Sequence, residues 1–236
     1  LEKNILTKNE YNAMGVENKG PGRFYSNFKV HKKHGHKQTP PVRPITSGSG
    51  SLTEGIATYV QRHIQNIATK HQSYLKDTPD FLRMIEHINK GPKLEMQAIL
   101  ATLDVDGLFT NITHEDGLQC LQKLLEENKF EKSHREFILK LMDLILKNNI
   151  FSFHETHWKQ EVAAAMGSKP IPPYADNFMA KTIDKAIQLL AKEFNKDGIE
   201  AMKLFKRFLD DIFTIFVGTT RDLHKLLDEI NNIHPN

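Results

Sequence analysis

Apolar positions along this chain recur at two spacings, three to four residues in some stretches and two in others, and the switch marks its elements. Between Thr53 and Lys70, Ile56, Tyr59 or Val60, His63, Ile64 and Ile67 fall on one helical face, with Thr53 as the N-cap. Pro79 to Lys90 predicts a second helix, Pro79 in its first turn and Phe81, Leu82, Ile85 and Ile88 turned inward. Two amphipathic helices are expected over 115–128 and 133–147. A long helix over 174–194 is striped by Met179, Ile183, Ile187, Leu190 and Phe194, and a last one over 222–233 carries Leu223, Leu226, Leu227 and Ile230. Period-two patterning predicts two strands between Phe24 and Ser47, joined by a His- and Lys-rich stretch at 31–41. It also predicts a strand ending at Asp104, a hairpin built from 150–154 and 157–162, and a strand-turn-strand over 206–216. Residues 1–23 are polar and unpatterned and read as a frayed beginning. The mixed order predicts an α+β fold, and the helical stripes read as core seams without chemistry of their own.

Chemistry enters at the last bend. In Lys206-Arg207-Phe208-Leu209-Asp210-Asp211-Ile212-Phe213, two adjacent carboxylates stand between aromatic and aliphatic runs. Neighbouring carboxylates repel, and cations must neutralise them if they are to be buried. A bend made from two acids, with no Gly or Asn to ease it, points to a divalent metal; a tight turn using Asp for local hydrogen bonds is the plainer reading. A second acidic feature favours the metal. In Ile99-Leu100-Ala101-Thr102-Leu103-Asp104-Val105-Asp106-Gly107, Asp104 and Asp106 are two apart and share a face while the backbone stays extended. Gly107 bends it, so Asp104 is the expected inward ligand and Asp106 a solvated or turn-capping acid. Asp104, Asp210 and Asp211 together form the hard oxygen set that Mg²⁺ prefers. Two-metal phosphoryl transfer uses such a set, one ion activating a hydroxyl and the other steadying the leaving pyrophosphate.

The order of motifs is more specific than any one of them. Asp104-Val105 followed by Leu108-Phe109-Thr110-Asn111-Ile112, then Ala165-Met166-Gly167-Ser168-Lys169, then Phe208-Leu209-Asp210-Asp211 resembles motifs A, B and C of a reverse transcriptase palm. With Phe28-Lys29-Val30-His31-Lys32 and Arg43-Pro44-Ile45-Thr46-Ser47, the chain resembles the Penelope-like retroelement reverse transcriptases from about Phe24 to its C-terminus. The resemblance implies a right-hand polymerase, with an antiparallel palm sheet bearing helices on one face and a fingers subdomain, and no thumb after Asn236. Fingers are then expected over 1–95, palm over 96–117, a fingers insertion over 118–160 and palm again over 161–236. The partners implied are an RNA template, a DNA primer and dNTPs, with two Mg²⁺ (Mn²⁺ as a substitute) and a nuclear setting. No segment resembles a GIY-YIG endonuclease.

By the same resemblance the Val105 carbonyl joins the three acids as a metal ligand. Lys29 and Arg43 would hold the incoming triphosphate; Arg offers a fork of donors matched to phosphate oxygens. Phe109 would lie under the sugar and exclude a 2′-hydroxyl, and Gln160 would line the nucleotide site. Met166, Gly167 and Lys169 would face template and primer, glycine letting backbone approach a base pair, and Phe208 and Leu209 would border the primer end. The chain departs from the family pattern at Ala163 and Ala164, where Gly-Thr is usual, at Asp176 in place of Asn, and at Gly107 and Thr113 in place of Ser and Pro. A Gly of positive φ cannot become Ala without strain. Ala163, Asp176 and the expected absence of a thumb motivate a second reading, a decayed or domesticated palm that binds nucleic acid without polymerising.

Composition bears on this in three places. The net charge is +3, but residues 1–50 hold nine Lys and Arg against three acids, so the rest is net acidic. A basic front and an acidic body suit a protein that grips phosphates with one part and metals with another. The single cysteine, Cys120, excludes an internal disulfide and reads as a core thiol among Leu118, Leu121, Leu124 and Leu125. No apolar run has the length of a membrane span, and His31, His34 and His36, interleaved with lysines and without cysteines, read as a fingertip loop on the template rather than a zinc site.

Overall fold

The computed structural model describes residues 5–17, 19–30, 40–93, 98–193 and 202–233. The histidine-rich stretch His31, His34 and His36 with its lysines, and Phe194 with the side chains of Ile187 and Leu190, lie outside the described residues. The described chain is α+β, as expected. Its strands are β1 (Gly22–Phe28), β2 (Val42–Ser47), β3 (Ala98–Asp104), β4 (Ile150–Phe153), β5 (Thr156–Lys159), β6 (Met202–Phe208) and β7 (Asp211–Val217). Its helices are α1 (Lys8–Ala13), α2 (Glu54–Ala68), α3 (Thr78–Lys90), α4 (Leu108–Asn111), α5 (His114–Glu127), α6 (Lys132–Lys147), α7 (Ile171–Glu193) and α8 (Thr220–Ile233).

Two compact units share these elements, one of residues 1–65 and 109–174, the other of 66–108 and 175–236. In this division 66–95 goes with 96–108, and 109–117 and 161–174 go with 1–65. In the first unit β1 pairs antiparallel with β2 and parallel with β4, and β4 with β5, giving the order β2-β1-β4-β5. Ile138, Met142, Leu121 and Leu125 from α5 and α6, with Val60 and Ile64 from α2, make a buried apolar core. Cys120 is only half-buried beside it. Thr113 caps α5 by accepting the Asp116 N–H. The polar beginning is not wholly frayed: Thr7 and Glu10 close a capping box on the short α1.

The second unit is built on the antiparallel sheet β3-β7-β6. Alternation along β3 and β7 sorts the residues by face. Ile99 and Ala101 with Phe216 meet Leu223, Leu226 and Ile230 of α8, a cluster in which each fully buried Leu or Phe contributes roughly 1.5–3 kcal/mol. Leu100, Thr102 and Asp104, with Asp211 and Phe213, take the opposite face. There α3 places Phe81 edge-on to Phe213 at 5.1 Å, while Leu100 remains 66% exposed. The inward stripe expected for α3 is therefore partial. No residue of that helix is buried, and Leu82 is exposed because the helix touches the sheet along one narrow line.

Candidate active site

The three predicted acids meet at one end of this sheet. β6 and β7 are joined by Leu209 and Asp210 alone, since Phe208 and Asp211 are paired residues. A two-residue hairpin loop needs backbone of a hand that matches the strand twist, usually with positive φ at its first position. Leu209 supplies it at φ 54°, in a region that costs an L-residue about 1–2 kcal/mol. Across the other edge of β7, Asp211 stands directly opposite Asp104, and the next pair inward is Thr102 with Phe213. Val105 closes the set: its N–H donates to the Asp210 carbonyl at 3.1 Å, which turns the backbone of β3 onto the acidic bend.

Asp104 and Asp211 are exposed and Asp210 half-buried. Asp104 thus departs from its expected inward position. Ile99 and Ala101 have taken the face toward α8, and strand alternation sends Asp104 to the open one. Asp106 is exposed ahead of the Gly107 bend, at φ 61°. Like charges facing each other across a sheet destabilise it, and no hydrogen bond or ion pair engages the Asp104, Asp210 or Asp211 carboxylates among the described residues. As the side chains stand, no group of three His, Cys, Asp or Glu among the described residues is gathered closely enough to hold a metal. The fit to a divalent ion lies in the backbone register and in the donor chemistry: hard carboxylate oxygens from adjacent strands on an open face, with no cation paired to them among the described residues.

What holds the bend is a residue the sequence reading left without a role. Arg207 is wholly buried, on the face of β6 opposite to Phe208, and forms an ion pair with Asp176 of α7. Its guanidinium also donates to the Asp176 carbonyl at 3.0 Å and to the Leu209 carbonyl at 3.3 Å, while its Nε has no partner among the described residues. The main chain of Arg207 is held as well, donating to the Ser73 carbonyl at 2.7 Å and accepting from the Leu75 N–H at 2.9 Å. Residues 73–75 in effect extend the sheet beyond β6, and Lys206 reaches the Gln72 carbonyl at 2.6 Å. Burial pushes the Asp176 carboxyl up, with Arg207 pulling it the other way. Its signal in the sequence was the departure from Asn at 176: an acid on a helix face otherwise apolar needs a buried cation. A cavity of about 530 Å³ lies on the open side of the same sheet, lined by Phe81, Thr102, Phe208, Asp211 and Phe213 among others.

The remaining predicted residues belong to the other unit. Arg43 is exposed on β2 opposite Asn27, and Lys29 follows β1 with its N–H on the Pro41 carbonyl at 2.8 Å. Phe109 is half-buried in α4, and its carbonyl accepts the Ala164 N–H at 2.9 Å, tying the end of the motif A segment to the motif B loop. Ala163 does adopt φ 67°, the conformation its replacement of Gly made costly; His114 Nε2 sits 3.0 Å from its carbonyl. Gln160 is spent within the protein, bonded to Asn149 at 2.9 Å and to the Val162 carbonyl at 2.9 Å. Met166 accepts the Thr46 N–H through its carbonyl at 2.9 Å. At Gly167, φ 112°, a Cβ would lie 2.3 Å from the Thr46 carbonyl oxygen, so the close approach that glycine permits here is to β2. Lys169 likewise turns to the protein, bonding Thr58 at 2.9 Å and pairing with Glu54 at 3.4 Å. Lys19, the Gly50 N–H and Lys169 lower the Glu54 carboxyl to about 2.

No protein-family profile matches the chain, and no curated protein matches it in sequence. Solved structures do match in fold. An apo telomerase from Candida tropicalis aligns with a TM-score of 0.63 at 10% identity over 91% of this chain and 42% of that one. The same organism's telomerase in complex with a TWJ fragment of telomeric RNA gives 0.60 at 12%, over 91% and 39%. The BmCPV RNA-dependent RNA polymerase in its quiescent state gives 0.57 at 12%, over 96% and 20%. This chain thus spans less than half of those telomerases and a fifth of that viral enzyme. At such identities the likeness is one of fold, and the fold is that of nucleic-acid polymerases.

Proposed function

We propose that the chain is the fingers and palm of an RNA-directed DNA polymerase of the Penelope-like kind. The observation that carries this is the pairing of Asp104 with Asp211 beside the Asp210 bend, in a fold shared with telomerase and viral polymerases. Asp104, Asp210 and Asp211, with the Val105 carbonyl, are the residues that would hold two Mg²⁺. Bound there, the ions would supply charge neutralisation for the attacking 3′-hydroxyl and the departing pyrophosphate. The protein's own part would be positioning: the register of β3 on β7 sets Asp104 opposite Asp211, and Arg43 and Lys29 would offer cations to a triphosphate.

Two features separate this reading from an RNA-synthesising polymerase, to which the fold is equally similar. Phe109 supplies bulk where a 2′-hydroxyl would sit, and Phe208-Leu209 stand where RNA-dependent RNA polymerases carry Gly before the paired acids. The decayed-palm alternative drew in part on Ala163 and Asp176; Asp176 gains a partner here, whereas Ala163 keeps the costly backbone that motivated it. The test is incorporation by the full chain on an RNA template, with dNTPs and rNTPs compared. dNTP incorporation that exceeds rNTP incorporation at least tenfold, and that is lost in Asp210→Asn, is expected. Equal use of both, or full activity of Asp210→Asn, would reject it. Phe109→Ala should narrow the discrimination with Mg²⁺ dependence unchanged.

A further inference from the structure

Arg207 is an expensive residue to bury for stability alone. Replacing a buried ion pair with apolar side chains is often neutral or stabilising, and here the guanidinium also leaves Nε without a partner among the described residues. The side chain is distinguished by what it reaches. One Nη1 donates both to Asp176 and to the carbonyl of Leu209, the residue at φ 54° that begins the acidic bend. We infer that Arg207, anchored by Asp176, is a positioning residue that clamps the strained Leu209 peptide and so sets the Asp210 and Asp211 carboxylates against Asp104. It touches no substrate and acts only through the bend.

The geometry supports this from three directions. The main chain of Arg207 is pinned on its outer side by Ser73 and Leu75, so the side chain works from a fixed root. The Asp176 helix lies on the far side of the sheet from Asp104 and Asp211, so the clamp does not compete for the site it shapes. Leu209, unlike glycine, has a strong preference for negative φ and needs an external hold to remain where it is. The inference rests on the metal-binding reading above, and the two can fail separately.

The experiment is Mn²⁺ binding to the full chain, followed by electron paramagnetic resonance alongside thermal melting. Asp210→Asn tests the underlying reading: Mn²⁺ affinity unchanged from wild type would reject the metal site itself. For the clamp, Arg207→Lys and the double variant Arg207→Met with Asp176→Leu are compared. Lysine keeps the charge but cannot serve Asp176 and Leu209 together, and the double variant removes both charges at once. Each should weaken Mn²⁺ binding about tenfold or more, with the double variant melting within a few degrees of wild type. Adding Leu209→Gly, which accepts positive φ unaided, should restore most of the lost affinity in either background. A purely structural pair would give the contrary result, with Mn²⁺ affinity unchanged wherever the variant folds, or with Leu209→Gly restoring nothing. Should the double variant not fold, Arg207→Lys with and without Leu209→Gly decides the matter.

Discussion

At the scale of single residues, the strongest signals are those where a side chain contradicts its backbone or its surroundings. Ala163 holds φ 67° without the freedom of glycine. Ala163→Gly should therefore raise stability by about 1 kcal/mol, the left-handed cost less the extra chain entropy of glycine, as a rise in melting temperature. Tyr59, His63 and His134 form another such place. Tyr59 Oη is 3.0 Å from His134 Nε2, and the two imidazoles lie 4.9 Å apart. Burial, and then His63, lower the His134 pKa, against weaker pulls from Glu10 and Glu131. A histidine with a depressed folded pKa takes up its proton more readily when unfolded, so its contribution is whole above about pH 6.5 and lost as the pH falls. The protein should melt lower at pH 5 than at pH 7, and His134→Gln should shrink that difference; an unchanged difference would show that His134 is not its source.

At the scale of elements, periodicity carried most of what the sequence could say. The strand ending at Asp104 was legible as an apolar run meeting an acid, and those flanking Asp210-Asp211 by their β-branched and aromatic residues. The long helices were legible from their stripes. Three things were not. The pairing of β1 with β4 joins residues far apart in sequence, and nothing local encodes it. The capping box of Thr7 and Glu10 sits in a stretch with no apolar pattern, where capping was the only signal. The partner of Asp176 could not be known until β6 was placed beside α7. Packing also hides in small residues. Gly117 of α5 lies against Tyr174 at the start of α7, where a Cβ would come 1.8 Å from the phenol oxygen, and Tyr174 is only 2% exposed. Gly117→Ala should cost at least about 1–3 kcal/mol and lower the melting temperature by several degrees, because the ring has nowhere to move. A variant that melts with wild type would mean that α5 and α7 separate more easily than their contact implies.

At the scale of the molecule, an α+β fold shared with telomerases and viral RNA polymerases, and two exposed carboxylates beside a half-buried third, are what the chain presents. Its predicted nucleotide and template residues proved uneven. Arg43 is exposed, whereas Gln160 and Lys169 are already bonded within their own unit. Register fixes where a strand end lies but not the rotamer of a long side chain, so the backbone places of the acids were legible where the partners of Gln160 and Lys169 were not. The most direct measurement is Mg²⁺-dependent extension of a DNA primer on an RNA template by the full chain, wild type beside Asp104→Asn and Asp211→Asn. Extension by wild type, with each substitution lowering the rate by at least a thousandfold at unchanged melting temperature, is the predicted result. Extension that survives either substitution would contradict a site shared by β3 and β7.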